Sequence, residues 1–214
     1  MINPENLAAL LLAYLIGSVP SAVWIGQALY GIDVREYGSG NAGATNTFRV
    51  LGKGAGIPVL LMDISKGYLA LQLAQFFGHY LPGTQQYVNF KLALGIAALL
   101  GHIYPVFAGF RGGKGVATLL GILLGVQPAA ALICAGIFLL VLLFSKYVSL
   151  GSMLAALAYP FVIMLVFKET IPSVNIFAMS VSILVLITHQ KNIERLLRGT
   201  ESKVYLLSKG SSKS

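Results

Sequence analysis

Six apolar runs of 15 to 29 residues leave this chain little choice of solvent. They occupy residues 7–29, 55–77, 92–107, 116–144, 150–167 and 174–188. A bilayer core takes roughly 20 apolar residues as helix, within about 17–25. The first run is interrupted by Gly17 and Pro20, the second carries Asp63 and Lys66, and the third closes on His102 and Pro105. Only 10% of the 214 residues are charged, where a soluble domain carries about a quarter. The residues before the first run lack the basic n-region of a secretory signal, so that run reads as a retained span. Cys134 is the sole cysteine and lies inside an apolar run, which excludes a disulfide framework.

The fourth run decides the topology. It is too long for one comfortable span, and Gln127-Pro128 punctuates its middle. As a helical hairpin it raises the count to seven spans, and the segments 31–54, 109–115, 145–149 and 191–214 then share a side. That side carries twelve of the fifteen Lys and Arg, against Lys91 and Lys168 opposite and Lys66 within a span. As one span, it would send the tail's six cations across to the side of Lys91. The excess of cytoplasmic cations selects the hairpin. The expected fold is therefore an all-α integral membrane protein with seven transmembrane helices, N-terminus outside and C-terminus cytoplasmic. Residues 1–191 form its single membrane domain and 192–214 a basic cytoplasmic tail. The net charge of +8 follows the ends of the spans, which points to topology and anionic lipid rather than nucleic acid. The histidines 79, 102 and 189 are far apart and have no cysteine partner, so no metal site is expected.

Every polar cluster falls on the expected cytoplasmic side. The first, 37–49, holds Ser39, Asn41, Thr45, Asn46 and Arg49 among three glycines and contains no acidic residue. Such a segment offers donors and one permanent cation to an anion. The second, 109–118, presents Arg111, Gly112, Gly113, Lys114 and Gly115 directly before an apolar helix. Free N–H groups and the helix dipole suit phosphate there. It misses the nucleotide-binding P-loop pattern, because its glycines are one residue too close, Gly115 replaces Ser/Thr, and no strand precedes it. The remaining clusters are weaker. Ser149 and Ser152 share a helix face, as do His189 and Asn192. Asp63 and Lys66, one turn apart at membrane depth, are spaced for a mutual ion pair.

The motifs Gly-Ser-Gly-Asn-x-Gly-x-Thr-Asn-x-x-Arg (38–49), Gly-His-x-x-Pro-x-Phe-x-x-Phe-x-Gly-Gly-Lys-Gly-Val-Ala-Thr (101–118), Lys-Tyr-Val-Ser-Leu (146–150) and His-x-x-Asn-Ile (189–193) closely resemble the bacterial acyl-phosphate:glycerol-3-phosphate acyltransferases, the PlsY family. The resemblance runs from about residue 8 to 195. It implies a seven-helix enzyme of the bacterial cytoplasmic (inner) membrane with its active site facing the cytoplasm. The implied reaction moves a fatty acyl group from acyl phosphate to the 1-hydroxyl of sn-glycerol 3-phosphate, giving lysophosphatidic acid and phosphate. No cofactor and no obligate protein partner are implied beyond the two substrates and membrane lipid. On this reading Ser39, Arg49, Lys114, His189 and Asn192 are catalytic, with Arg49 and Lys114 as phosphate cations and His189 and Asn192 orienting the glycerol hydroxyl. Asn41, Thr45, Asn46, Ser149 and the backbone of Gly112, Gly113 and Gly115 add neutral donors. No Asp or Glu stands beside His189 to complete a triad, so direct attack by the hydroxyl, without an acyl-enzyme, is the expected route, with the acyl phosphate's own oxygens as proton acceptor and His189 as general base the rival. A small transporter for a phosphorylated solute is the alternative, disfavoured because its site belongs near the midplane between repeated halves.

Overall fold

The structure is a computed structural model that describes residues 3–204. The described residues contain helices and turns but no strand. The first apolar run forms two helices, α1 (Pro4–Gly17) and α2 (Ser21–Tyr30), bent by 41° at Ser18-Val19-Pro20. Pro20 cannot continue a helix, and a break at membrane depth needs new partners for its backbone. Lys66 on α4 (Lys53–Gln72) supplies one, donating to Val19 O at 2.8 Å. Lys66 also pairs with Asp63 at 2.8 Å, and Asp63 accepts from Ser21 Oγ at 3.0 Å. The expected ion pair thus exists and ties the break in the first span to α4.

Between α2 and α4 lies α3 (Ala44–Leu51), a short helix that begins midway through the first polar motif. Then come α5 (Gln85–Ile103), α6 (Val116–Val126), α7 (Pro128–Ser145), α8 (Val148–Phe161, continued by a π turn to Val166), α9 (Pro172–Thr188) and α10 (Gln190–Leu197). The fourth run does divide at Gln127-Pro128. Its first arm, α6, has only 11 residues. Lys91 on α5 reaches its far end and donates to Gly125 O at 2.6 Å, satisfying a carbonyl the helix leaves bare.

Among the described residues four helices, extended in places by their terminal turns, are long and apolar enough to cross a membrane. The α1–α2 and α9–α10 pairs pass the same test when each is taken as one bent span, giving up to six, with α6 a shorter apolar helix beside them. Helix contact rests on small residues, as it does where lipid offers no hydrophobic drive. A Cβ at Gly17 would strike the Ala98 carbonyl, and one at Gly101 the Tyr14 carbonyl, so α1 and α5 meet backbone to backbone. Gly67 against Thr118 and Gly121 against Ile64 bring α4 and α6 equally close. The largest buried apolar cluster lies among α6, α7, α8 and α9 and includes Ile122, Ala131, Tyr159, Ile163 and Phe177.

Candidate active site

The polar motifs, spread along the sequence from residue 38 to residue 193, meet around one cavity of 590 Å³, within the range of a small-molecule site. Ser39, Asn41, Thr45, Asn46, Arg49, Gly113, Lys114, Gly115, Ser149, His189 and Asn192 all line it. Gly112 does not. It is pressed against the end of α5, where a Cβ would collide with the His102 carbonyl.

The first motif divides by role once its hydrogen bonds are followed. Asn46, only 2% exposed, donates through Nδ2 to Val34 O at 2.8 Å and to Tyr37 O at 3.1 Å. Its Oδ1 accepts from the Ser39 amide at 2.8 Å and the Ser39 hydroxyl at 3.1 Å. Asn46 is the knot that holds the loop, and its amide is spent on that. The loop turns at Gly38 (φ 61°) and Gly40 (φ 71°), where side chains would be strained. Arg49 lies exposed on α3 at the cavity, with its guanidinium 3.5 Å from Asn46 Oδ1.

The glycine-rich segment differs from expectation in one respect. The Gly112 amide donates to Ile103 O and the Gly113 amide to His102 O, each at 3.2 Å, so these two N–H groups are not free for an anion. The N–H groups that open α6, at Val116 and Ala117, have no carbonyl one turn back within the helix, and both residues line the cavity. His102 occupies the space a Gly113 side chain would need, and its Nδ1 lies 3.0 Å from Thr118 Oγ1 and 3.7 Å from Asp63 Oδ1. The two motif-bearing loops are stapled by Arg35. It is fixed by Asp33 at 2.7 Å and donates to Ala108 O at 2.7 Å and Arg111 O at 3.2 Å. The hydrogen bond from Arg35 outweighs burial and holds the Asp33 carboxyl below its usual range.

On the opposite wall, Lys114 Nζ contacts Asn192 Oδ1. Burial lowers the Lys114 pKa to about 8, with Glu201 opposing that shift and Arg195 and Arg49 adding to it. Asn192 Nδ2 donates to Glu201 Oε1 at 2.6 Å, Ser149 Oγ donates to the same oxygen at 2.7 Å, and Arg195 Nε donates to Oε2 at 2.6 Å. Burial alone would raise the Glu201 carboxyl, but these hydrogen bonds and the Arg195 charge together hold it below its ordinary range. Glu201, Ser202 and Val204 line the cavity, and the Val204 amide donates to Lys146 O at 2.8 Å. Part of the segment expected as a tail from 192 therefore lines the same cavity, as far as Val204. His189, 3% exposed, places Nδ1 2.8 Å from Val185 O. A carbonyl only accepts, so Nδ1 carries the proton and Nε2 is a bare acceptor.

Beyond this polar mouth the cavity continues as an apolar arm among Leu119, Leu123, Phe138, Ala155, Tyr159 and Val181. Cations and neutral donors beside an apolar arm, inside a bundle of apolar helices, define a multi-pass membrane protein whose cavity suits a ligand with an anionic head and an apolar tail. The comparisons narrow this class. The chain belongs to the glycerol-3-phosphate acyltransferase family, whose profile matches residues 7–199, and with it to the transferases of phospholipid synthesis. It is 41% identical over 225 residues to a glycerol-3-phosphate acyltransferase of Chlorobium phaeobacteroides and 42% identical over 222 residues to one of Chlorobaculum tepidum. Each alignment covers 92% of this chain and 96% of the relative. Among solved structures it is similar to PlsY, an integral membrane glycerol 3-phosphate acyltransferase, in its glycerol 3-phosphate form. The TM-score is 0.82 at 36% identity, over 94% of this chain and 96% of the other. The lysophosphatidic acid form of PlsY gives a TM-score of 0.79 with the same identity and coverage.

Proposed function

We propose that the protein transfers a fatty acyl group from acyl phosphate to the 1-hydroxyl of sn-glycerol 3-phosphate, releasing lysophosphatidic acid and inorganic phosphate. The observation that carries this reading is the union of the cationic mouth with the apolar arm in one cavity. Two phosphates need two sets of donors, and Arg49 with the Ser39 loop and Lys114 with the start of α6 stand on different elements. Arg49 is suited to grip a phosphate bidentately.

The hydroxyl of glycerol 3-phosphate attacks the acyl carbon directly. A carbon–oxygen bond forms to the glycerol, the bond to the phosphate oxygen breaks, and the phosphate leaves with the hydroxyl proton. His189 Nε2 accepts the hydroxyl's hydrogen bond and aims it, while the cation beside the acyl phosphate holds the leaving charge. No acyl-enzyme is needed, and among the described residues no serine hydroxyl is hydrogen-bonded to His189 as its base. Ser39 is bonded to Asn46, Ser149 to Glu201, and Cys134 lies at the far end of the apolar arm.

The proposed topology has seven spans, with the N-terminus outside and the C-terminus and active site on the cytoplasmic face of a bacterial inner membrane. The division at Gln127-Pro128 and the cation distribution support it. Single cysteines at Gln86 and Lys203, in a Cys134→Ser background, test it in intact cells. An impermeant thiol reagent is expected to label the first and not the second, and the reverse pattern overturns the topology. The reaction is tested on purified protein in detergent, given glycerol 3-phosphate with either palmitoyl phosphate or palmitoyl-CoA. Lysophosphatidic acid from the phosphate alone is expected. Product from the thioester alone overturns the donor assignment, and no product from either overturns the reaction.

A further inference from the structure

The apolar arm has a floor. On each of the four helices that wall it, the lining residues stop at one level: Leu123 on α6, Cys134 on α7, Tyr159 on α8 and Val181 on α9. Beyond that level Ala130, Ala131, Ile163, Phe177 and Ala178 are buried against one another in the same cluster as Tyr159 and do not reach the cavity. Tyr159 is the largest side chain in the described residues to be fully buried, and it is the last residue of α8 to line the cavity. Ser149, at the cationic mouth, and Tyr159 are ten residues apart on one helix, which sets the depth at ~15 Å from the helical rise. That is close to the extended length of a medium-chain acyl group.

We infer that Tyr159 is a specificity-determining residue that limits acyl chain length. It does so by closing the arm at the depth where the chain's terminal methyl arrives. The inference rests on the proposed acyl transfer and adds to it the residue that measures the donor. A chain whose methyl end meets the ring fills the arm, whereas a longer one must fold back or leave the bundle toward lipid. One methylene more or less in an apolar pocket changes discrimination by about 10–200-fold, so a closed floor discriminates sharply and an open groove does not.

The experiment measures kcat/KM with lauroyl, myristoyl, palmitoyl and stearoyl phosphate for wild type, Tyr159→Ala and Cys134→Phe. Deepening the arm with Tyr159→Ala is expected to raise the ratio of long-chain to short-chain kcat/KM by about tenfold. Cys134→Phe, which adds bulk at the same level, is expected to lower that ratio by a similar factor, and it serves as the test should Tyr159→Ala not fold. A wild type active on acyl phosphates, with a profile that neither substitution moves, overturns the gauge alone. A wild type that uses none of the four donors overturns the transfer reaction and the gauge with it.

Discussion

Glu201→Ala is the most informative single perturbation, because one carboxylate gathers Ser149, Asn192 and Arg195 at 2.6–2.7 Å. Truncation removes three acceptor contacts and leaves the buried Ser149 and Asn192 without their acceptor. A hydrogen bond to a charged group is worth roughly 1.5–3 kcal/mol and a neutral one about 0.5–1.5. The contacts share one carboxylate and do not add, so the expected loss is about 2–4 kcal/mol. For a chain of this size that lowers Tm by ~4–16 °C. Asn192 also contacts Lys114, so the KM for glycerol 3-phosphate is expected to rise together with the instability. Thermal unfolding of purified protein and initial rates at subsaturating glycerol 3-phosphate read the two effects. The sign with pH follows from the depressed carboxyl. Its stabilisation is fully present above the ordinary value of 4.5 and disappears as pH falls through the lower folded value. Wild type and Glu201→Gln are therefore expected to converge in Tm only on the acid side. A Glu201→Ala protein with wild-type Tm and wild-type rates would refute the reasoning.

Further outcomes follow from the same geometry. Arg49→Ala and Lys114→Ala are each expected to fold and to lose a charge-assisted phosphate contact worth roughly 1.5–3 kcal/mol, seen as at least a tenfold fall in kcat/KM. Burial sets the Lys114 pKa at about 8, so the cation is lost as pH rises through that value; kcat/KM for glycerol 3-phosphate is expected to decline above it, and a flat profile to pH 10 would remove Lys114 from the binding role. His189→Asn or His189→Gln is expected to keep more activity than His189→Ala if the residue aims the hydroxyl; equal loss in all three, with an acid limb at the imidazole's titration, would instead make it the general base. Lys66→Met leaves Asp63 buried and unpaired and Val19 O without its donor, an expected loss of about 3–5 kcal/mol, read by thermal unfolding.

Much of this was legible in the chain itself, for identifiable reasons. Gln127-Pro128 divides the longest run because a proline cannot extend α6 and is at home in the first turn of α7. The polar clusters converge because a chain with few charges concentrates them where water and substrate meet the bundle. What could not be read depended on close approach between distant elements. The Gly112 and Gly113 amides looked free until the end of α5 supplied their acceptors. Asn46 looked like a substrate donor, and only the path of residues 34–39 around it reveals a structural knot. Glu201 carried a faint signal as one of two carboxylates, with Glu194, in a basic stretch, but a solvated counter-charge gives the same pattern. His189 lacked a carboxylate to fix its tautomer, and the Val185 carbonyl one turn earlier does that work.

The shortness of α6 sets the depth of the chemistry. It has 11 residues where its hairpin partner α7 has 18, and the two share the turn at Gln127. Measured from that turn, the start of α6 lies ~10 Å short of the end of α7, from the seven-residue difference in length. Lys114 and Gly115 are therefore sunk below the rim formed by Ser145 and Lys146. In the proposed reaction the hydrophilic substrate descends to the acyl group, and the acyl chain need not climb out of the hydrocarbon to react. Hydrophobic mismatch then becomes a lever on rate: a thicker bilayer raises the lipid edge around the well, while a thinner one brings the phosphate loop nearer to bulk water.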